Sequence, residues 1–188
     1  MKLFIGCSSR NDIPKMYLDD CKHFLSSLMK ENDLVFGAYD GGLMGIAYQT
    51  TLDYKNNVIG VCPEAYKDDF KNLNCTDEVI AKSVNERTEK AISLSDALIF
   101  LPGGIGTIYE LYASIESKRC HEFDKPIIIY NSKGFYDKLL DFMEKLYQEK
   151  FLKEEDRKVY FVSDSLDEIL NYIQNYQTFE ELKKIKKY

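Results

Sequence analysis

Short apolar runs alternate with longer segments of helical period along this chain, and that alternation restricts the fold more than any other feature. The runs cover residues 3–5, 34–36, 58–62, 97–101, 126–130 and 159–162, six candidate strands. Between them Tyr17, Cys21, Phe24, Leu25 and Leu28 share one helical stripe, as do Phe135, Leu139, Phe142, Met143 and Leu146. A last stripe holds Leu166, Ile169, Leu170 and Ile173. Strand alternating with helix predicts an α/β fold: a Rossmann-like, doubly wound, mostly parallel sheet with helices on both faces. Its 188 residues contain no Gly/Ser linker and no fixed-period repeat, so one domain spanning 1–188 is expected. Residues 63–84 carry no clear pattern, and 174–188 read as a polar helical tail.

Charge and cysteine usage exclude several functions. A net charge of −6 argues against a general nucleic-acid binder, and the basic stretch at 183–187 reads as a solvated helix end. No apolar run approaches the roughly 20 residues of a membrane span. The apolar stretch at the start is also shorter than the roughly 7–15 residues of a signal-peptide core. Five scattered cysteines, none in a C-x-x-C pair, imply neither a disulfide framework nor a zinc site, and point to a reduced cytoplasmic setting.

Glycine clusters follow three of the runs: Gly6-Cys7-Ser8-Ser9, residues 37–45, and Pro102-Gly103-Gly104-Ile105-Gly106-Thr107. In open parallel sheets ligands bind beyond the carboxyl ends of strands, where glycines admit an anion to backbone N–H groups and the next helix offers its positive end. Any one cluster could simply permit a positive φ; three in register favour a phosphate site. After the third cluster Ile108, Leu111, Tyr112 and Ile115 form an apolar stripe. Thr107 and Glu110 lie about 60° apart on the other side of that helix, so both would face the loop. The same two residues also fit a capping box.

Pro102-Gly103-Gly104-Ile105-Gly106-Thr107-Ile108-Tyr109-Glu110 is similar to the P-G-G-x-G-T-x-x-E motif of the LOG family, the cytokinin riboside 5′-monophosphate phosphoribohydrolases, earlier mislabelled lysine decarboxylases. The resemblance runs from about residue 2 to residue 173. Gly6-Cys7-Ser8-Ser9 resembles the family's first loop, Gly41-Gly42-Leu43-Met44-Gly45 its second, and Lys125-Pro126 and Gly134-Phe135-Tyr136-Asp137 later landmarks. The resemblance implies Arg87 and Glu110 as the catalytic pair. It implies Ser8, Ser9, Gly45, Gly103, Gly104, Gly106 and Thr107 as substrate-binding residues, the 5′-phosphate resting on Gly104, Gly106 and Thr107. It further implies a nucleoside 5′-monophosphate as partner, a homodimer, and no cofactor and no metal.

The chain departs from the family where Thr88 replaces the lysine of an R-K dipeptide, where Tyr39 and Asp40 interrupt a run of glycines, and where Tyr109 replaces a second glutamate. It also has no tryptophan. Restoring charge with Thr88→Lys is expected to tighten phosphate binding, and Tyr39 and Asp40 are expected near the nucleotide.

Cleaving an N-glycosidic bond develops positive charge on the sugar, which a carboxylate such as Glu110 would stabilise while Arg87 assists the departing base or the phosphate. Substituting either is expected to abolish hydrolysis with little loss of fold. Ser8 and Ser9 lack a G-x-S-x-G elbow, Cys7 has no evident histidine partner, and His23 and His121 read as structural or exposed. The rival readings are a non-catalytic carrier of a nucleotide or molybdenum cofactor, which has no need of Arg87 and Glu110 together, and a pyridoxal-phosphate decarboxylase, for which no lysine setting is evident.

Overall fold

The computed structural model describes residues 1–178. Seven strands, β1 (Lys2–Gly6), β2 (Asp33–Phe36), β3 (Val58–Pro63), β4 (Asp77–Ala81), β5 (Ala97–Phe100), β6 (Ile127–Tyr130) and β7 (Phe161–Ser163), form one sheet in the order β4-β3-β2-β1-β5-β6-β7. Every pairing is parallel, and Leu3 stands beside both Leu34 and Ala97. The α-helices are α1 (Lys15–Leu28), α2 (Gly42–Asp53), α3 (Val84–Leu94), α4 (Ile105–Arg119), α5 (Asp137–Gln148) and α6 (Leu166–Gln174). The expected doubly wound α/β architecture is therefore present.

Successive strand residues point to opposite faces, and each face has its own core. Leu3, Ile5 and Ile99 pack with Cys21, Phe24 and Leu25 of α1, Leu43 and Ala47 of α2 and Ile169 of α6. Phe4, Leu98 and Phe100 pack on the other face with Ala91 and Ile92 of α3, Leu111 of α4 and Leu139 of α5. Strands covered on both sides read as continuous apolar runs, which is why the central ones were legible.

The strand with no sequence signal is β4. It lies at the sheet edge, and its Asp77, Glu78 and Ile80 are exposed, so no apolar run marks it. A 3₁₀ stretch, Glu64–Asn72, precedes it and lays Phe70 against β3. There a Cβ on Gly60 would stand 2.4 Å from the Phe70 ring, so glycine is required.

Other expectations are corrected. The last strand begins at Phe161, and Val159 instead buries itself at the end of a 3₁₀ turn, donating its N–H to the Asp156 carbonyl. On α5 the buried residues are Met143 and Tyr147, while Phe142 is exposed. Helix α6 stops at Gln174 and residues 175–178 are not helical, so the expected helical tail is not continuous with it. The rest of that tail, including 183–187, lies outside the described residues. No helix among the described residues is long and apolar enough to cross a membrane.

Candidate active site

The order of the sheet reverses between β1 and β5, since β1 feeds helices on one face and β5 feeds α4 on the other. Such a switch point opens a crevice at the carboxyl ends of the two strands. The three glycine clusters meet there. Ser8 donates its N–H to the Pro102 carbonyl at 3.0 Å, and its own carbonyl accepts from Leu43 N–H at 2.9 Å and Met44 N–H at 3.2 Å. The first loop thereby satisfies the open first turn of α2, through the Ser8 carbonyl and through Asn11, whose Oδ1 accepts the Gly42 N–H at 2.7 Å. Gly42, at φ 57°, lies so close that a Cβ would sit 2.5 Å from the Arg10 carbonyl oxygen.

The third loop ends in Gly104, the N-cap of α4, and no side chain caps that helix. Thr107 therefore stands inside the first turn rather than capping it, and the capping-box account of Thr107 and Glu110 is overturned. The first-turn N–H groups remain open to the cleft. Around Gly104 and Gly106 a Cβ would meet nothing within 4 Å, leaving room for an oxyanion. Gly103 serves a different end: a Cβ there would lie 2.2 Å from Thr107 Oγ1, so glycine lets the threonine fold against its own loop.

Helix α3 carries Arg87 into the cleft. Its start is set by Ser83, whose hydroxyl accepts the Glu86 N–H at 3.2 Å, while the Glu86 carboxylate reaches back to the Lys82 N–H at 2.7 Å. Arg87 then pairs with Glu110, its Nη1 donating to Oε1. The arginine side chain is 12% exposed and the glutamate 2%. Burial disfavours the charged guanidinium and lowers the Arg87 pKa. Arg87 Nε and Glu110 Oε2 are both buried without a hydrogen-bond partner, so each retains unused bonding capacity.

The resulting cavity, about 270 Å³, is lined by Ser8, Ser9, Arg87, Gly104, Gly106, Thr107 and Glu110 among the expected residues. Gly45 is not brought there; it lies within α2, where its Cβ would meet Asp40 Oδ1 at 2.8 Å, and Gly103 borders a neighbouring cavity instead. Sequence reasoning missed Arg10 and Met44 as lining residues. Their signal was position, one residue beyond the Ser8-Ser9 pair and inside the second glycine loop. Cys7 also borders the cavity, but burial pushes its thiol pKa well up, so it offers no thiolate. The neighbouring cavity, about 220 Å³, is walled by Ile13, Pro14, Tyr17 and Phe135 and shares Ser8, Arg10 and Gly104 with the first.

Residues 44–173 match the protein-family model described as "Possible lysine decarboxylase". Over 182 residues the chain is 30% identical to the cytokinin riboside 5′-monophosphate phosphoribohydrolase LOG4 of Arabidopsis thaliana, covering 96% of this chain and 85% of the relative. The chain belongs to the LOG family. At the same identity and over the same share of this chain it matches the probable cytokinin riboside 5′-monophosphate phosphoribohydrolase LOGL2 of Oryza sativa subsp. japonica, covering 75% of that protein. Among solved structures, the Moco carrier protein of Chlamydomonas reinhardtii superposes with a TM-score of 0.63 at 16% identity, covering 97% of this chain and 98% of that one, a likeness of fold.

The departures from the LOG pattern take specific places. Thr88 is buried and donates its hydroxyl to the Val84 carbonyl at 3.1 Å, turned away from the cavity lining. Tyr39 and Asp40 line a separate hollow with Asp69, Asn72 and Leu73, not the cleft where they were expected. Tyr109 donates to Asn85 Oδ1 at 2.7 Å on the surface between α3 and α4.

Proposed function

We propose that this LOG-family chain hydrolyses the N-glycosidic bond of a purine nucleoside 5′-monophosphate, releasing free base and ribose 5-phosphate. The observation that carries the reading is the buried Arg87–Glu110 pair, with bonding capacity left on each member, in the same cleft as the uncapped start of α4. A phosphate on Gly104, Gly106 and Thr107 would place the ribose over Glu110. The carboxylate then holds the ribose hydroxyls and stabilises the cationic sugar as the bond to the base breaks. Water adds at C1′, and its proton leaves with the base. Arg87 fixes the carboxylate and hydrogen-bonds the departing base. No step calls for a metal, a cofactor or a nucleophilic side chain.

The names of the relatives support a cytokinin-type, N6-substituted base, and the apolar cavity walled by Tyr17 and Phe135 offers space beside the phosphate loop. The reading includes a homodimer in the cytoplasm. Ile105, 88% exposed at the first position of α4, supports a subunit contact there, and analytical ultracentrifugation tests it.

Base release from AMP, an N6-substituted AMP, adenosine and ATP decides the activity. Both monophosphates should yield free base without added metal, and adenosine should react poorly because idle anion donors forfeit binding energy. Tight binding of the monophosphates with no turnover would overturn the hydrolase reading in favour of a carrier.

A further inference from the structure

Among the described residues two cations line the cleft, Arg87 and Arg10, and Arg87 is already committed to Glu110. A phosphate monoester carries about −1.5 to −2 charges at neutral pH, whereas a helix N-terminus supplies roughly +0.5. The family's lysine cannot make up the difference, because its position is a buried threonine. Arg10 remains. It borders both the cleft and the adjoining cavity, the two hollows that Gly104 of the phosphate loop also borders. Its backbone is anchored, with the N–H donating to Ser8 Oγ at 3.2 Å and the carbonyl wedged against Gly42. Among the described residues the side chain is held by Asp12 alone, which accepts from Nε at 2.9 Å and Nη2 at 2.7 Å. That pair is 73% and 68% exposed, so water and salt leave little cost to breaking it.

We propose that Arg10 is the residue that makes this chain prefer a 5′-phosphorylated ligand: on binding, its guanidinium exchanges the Asp12 carboxylate for the phosphate at the start of α4. The inference rests on the functional reading above. The exchange is favourable because the guanidinium fork matches a phosphate as well as a carboxylate. The new partner also sits in a cleft less screened than the surface pair. Asp12 acts as a placeholder, keeping the cation close to the loop and limiting its attraction for smaller anions.

The test compares wild type, Arg10→Ala, Arg10→Lys and Asp12→Asn with AMP and adenosine, by steady-state kinetics and by calorimetry. Arg10→Ala should raise KM and Kd for AMP about tenfold, leave kcat nearly unchanged, leave adenosine affinity unchanged and flatten the salt dependence of AMP binding. Arg10→Lys should recover part of the loss, and Asp12→Asn should tighten AMP binding. Unaltered AMP affinity in Arg10→Ala, or an equal loss for adenosine, would overturn the proposal. A wild type that turns over neither compound defeats the hydrolase reading alone, because the AMP-to-adenosine affinity ratio still decides the role of Arg10.

Discussion

Arg87 on α3 and Glu110 on α4, 23 residues apart in sequence, form a single ion pair buried at the floor of the cleft. Removing one partner leaves the other charge buried and uncompensated, which costs on the order of 3 kcal/mol. Arg87→Ala and Glu110→Gln should each abolish base release, and each should also lower stability, contrary to the expectation of an undisturbed fold. The double variant Arg87→Ala/Glu110→Gln should be more stable than the sum of the single losses predicts. Urea denaturation of the four proteins measures the coupling; strictly additive losses would mean that the pair does not interact in solution.

The glycines of the phosphate loop divide into two kinds. Gly104→Ala places its methyl in open space, so the melting temperature should hold while KM for the monophosphate rises. In Gly103→Ala the methyl collides with Thr107 Oγ1, so stability should fall by about 1–3 kcal/mol. Thermal melts paired with kinetics distinguish the two, and a stable, fully active Gly103→Ala would contradict the packing of this loop.

Thr88→Lys is expected to fail as a repair. Its side chain points into the protein and is 4% exposed, so a lysine must bury its ammonium or disturb α3, costing about 2 kcal/mol or more. Lower stability without tighter AMP binding is the expected pair of results. Tighter binding would show that the lysine reaches the cleft after all.

Lys118 on α4 is 1% exposed, donating to the Lys125 carbonyl at 2.8 Å with its Nζ 4.8 Å from the Tyr176 ring centroid. Burial pushes its pKa down from 10.5 to about 8. Between those values the unfolded chain binds a proton that the native state does not, so this residue makes stability rise with pH from about 8 toward 10. Across the whole interval the gain is about 3 kcal/mol. Chemical denaturation at pH 7.5 to 10 should show this slope in wild type and lose it in Lys118→Met; an unchanged slope would assign it to other groups.

The strands buried on both faces were legible, because a strand covered by helices on both sides must be apolar throughout. Edge strand β4 was not, since exposed Asp77 and Glu78 carry no apolar signal. Helix α4 was legible as a helix but not in its orientation. Ile108, Tyr112 and Ile115 of the expected stripe are only half-buried, while Thr107, Glu110, Leu111, Ser114 and Lys118 face inward. Polar groups can face inward there because they find local partners: Ser114 donates to the Glu110 carbonyl at 2.7 Å, and Lys118 to Lys125.

Sequence by itself determined the α/β order, the glycine loops after β1, β2 and β5, and the family motif that singles out Arg87 and Glu110, since each is written in local pattern. Tertiary structure decided what local pattern cannot encode. It brought Arg87 against Glu110, turned Thr88 inward, drew Gly45 away from the cleft and set Arg10 at its rim. Each of these depends on where separate helices cross at the switch point between β1 and β5, a property of the whole sheet rather than of any segment in it.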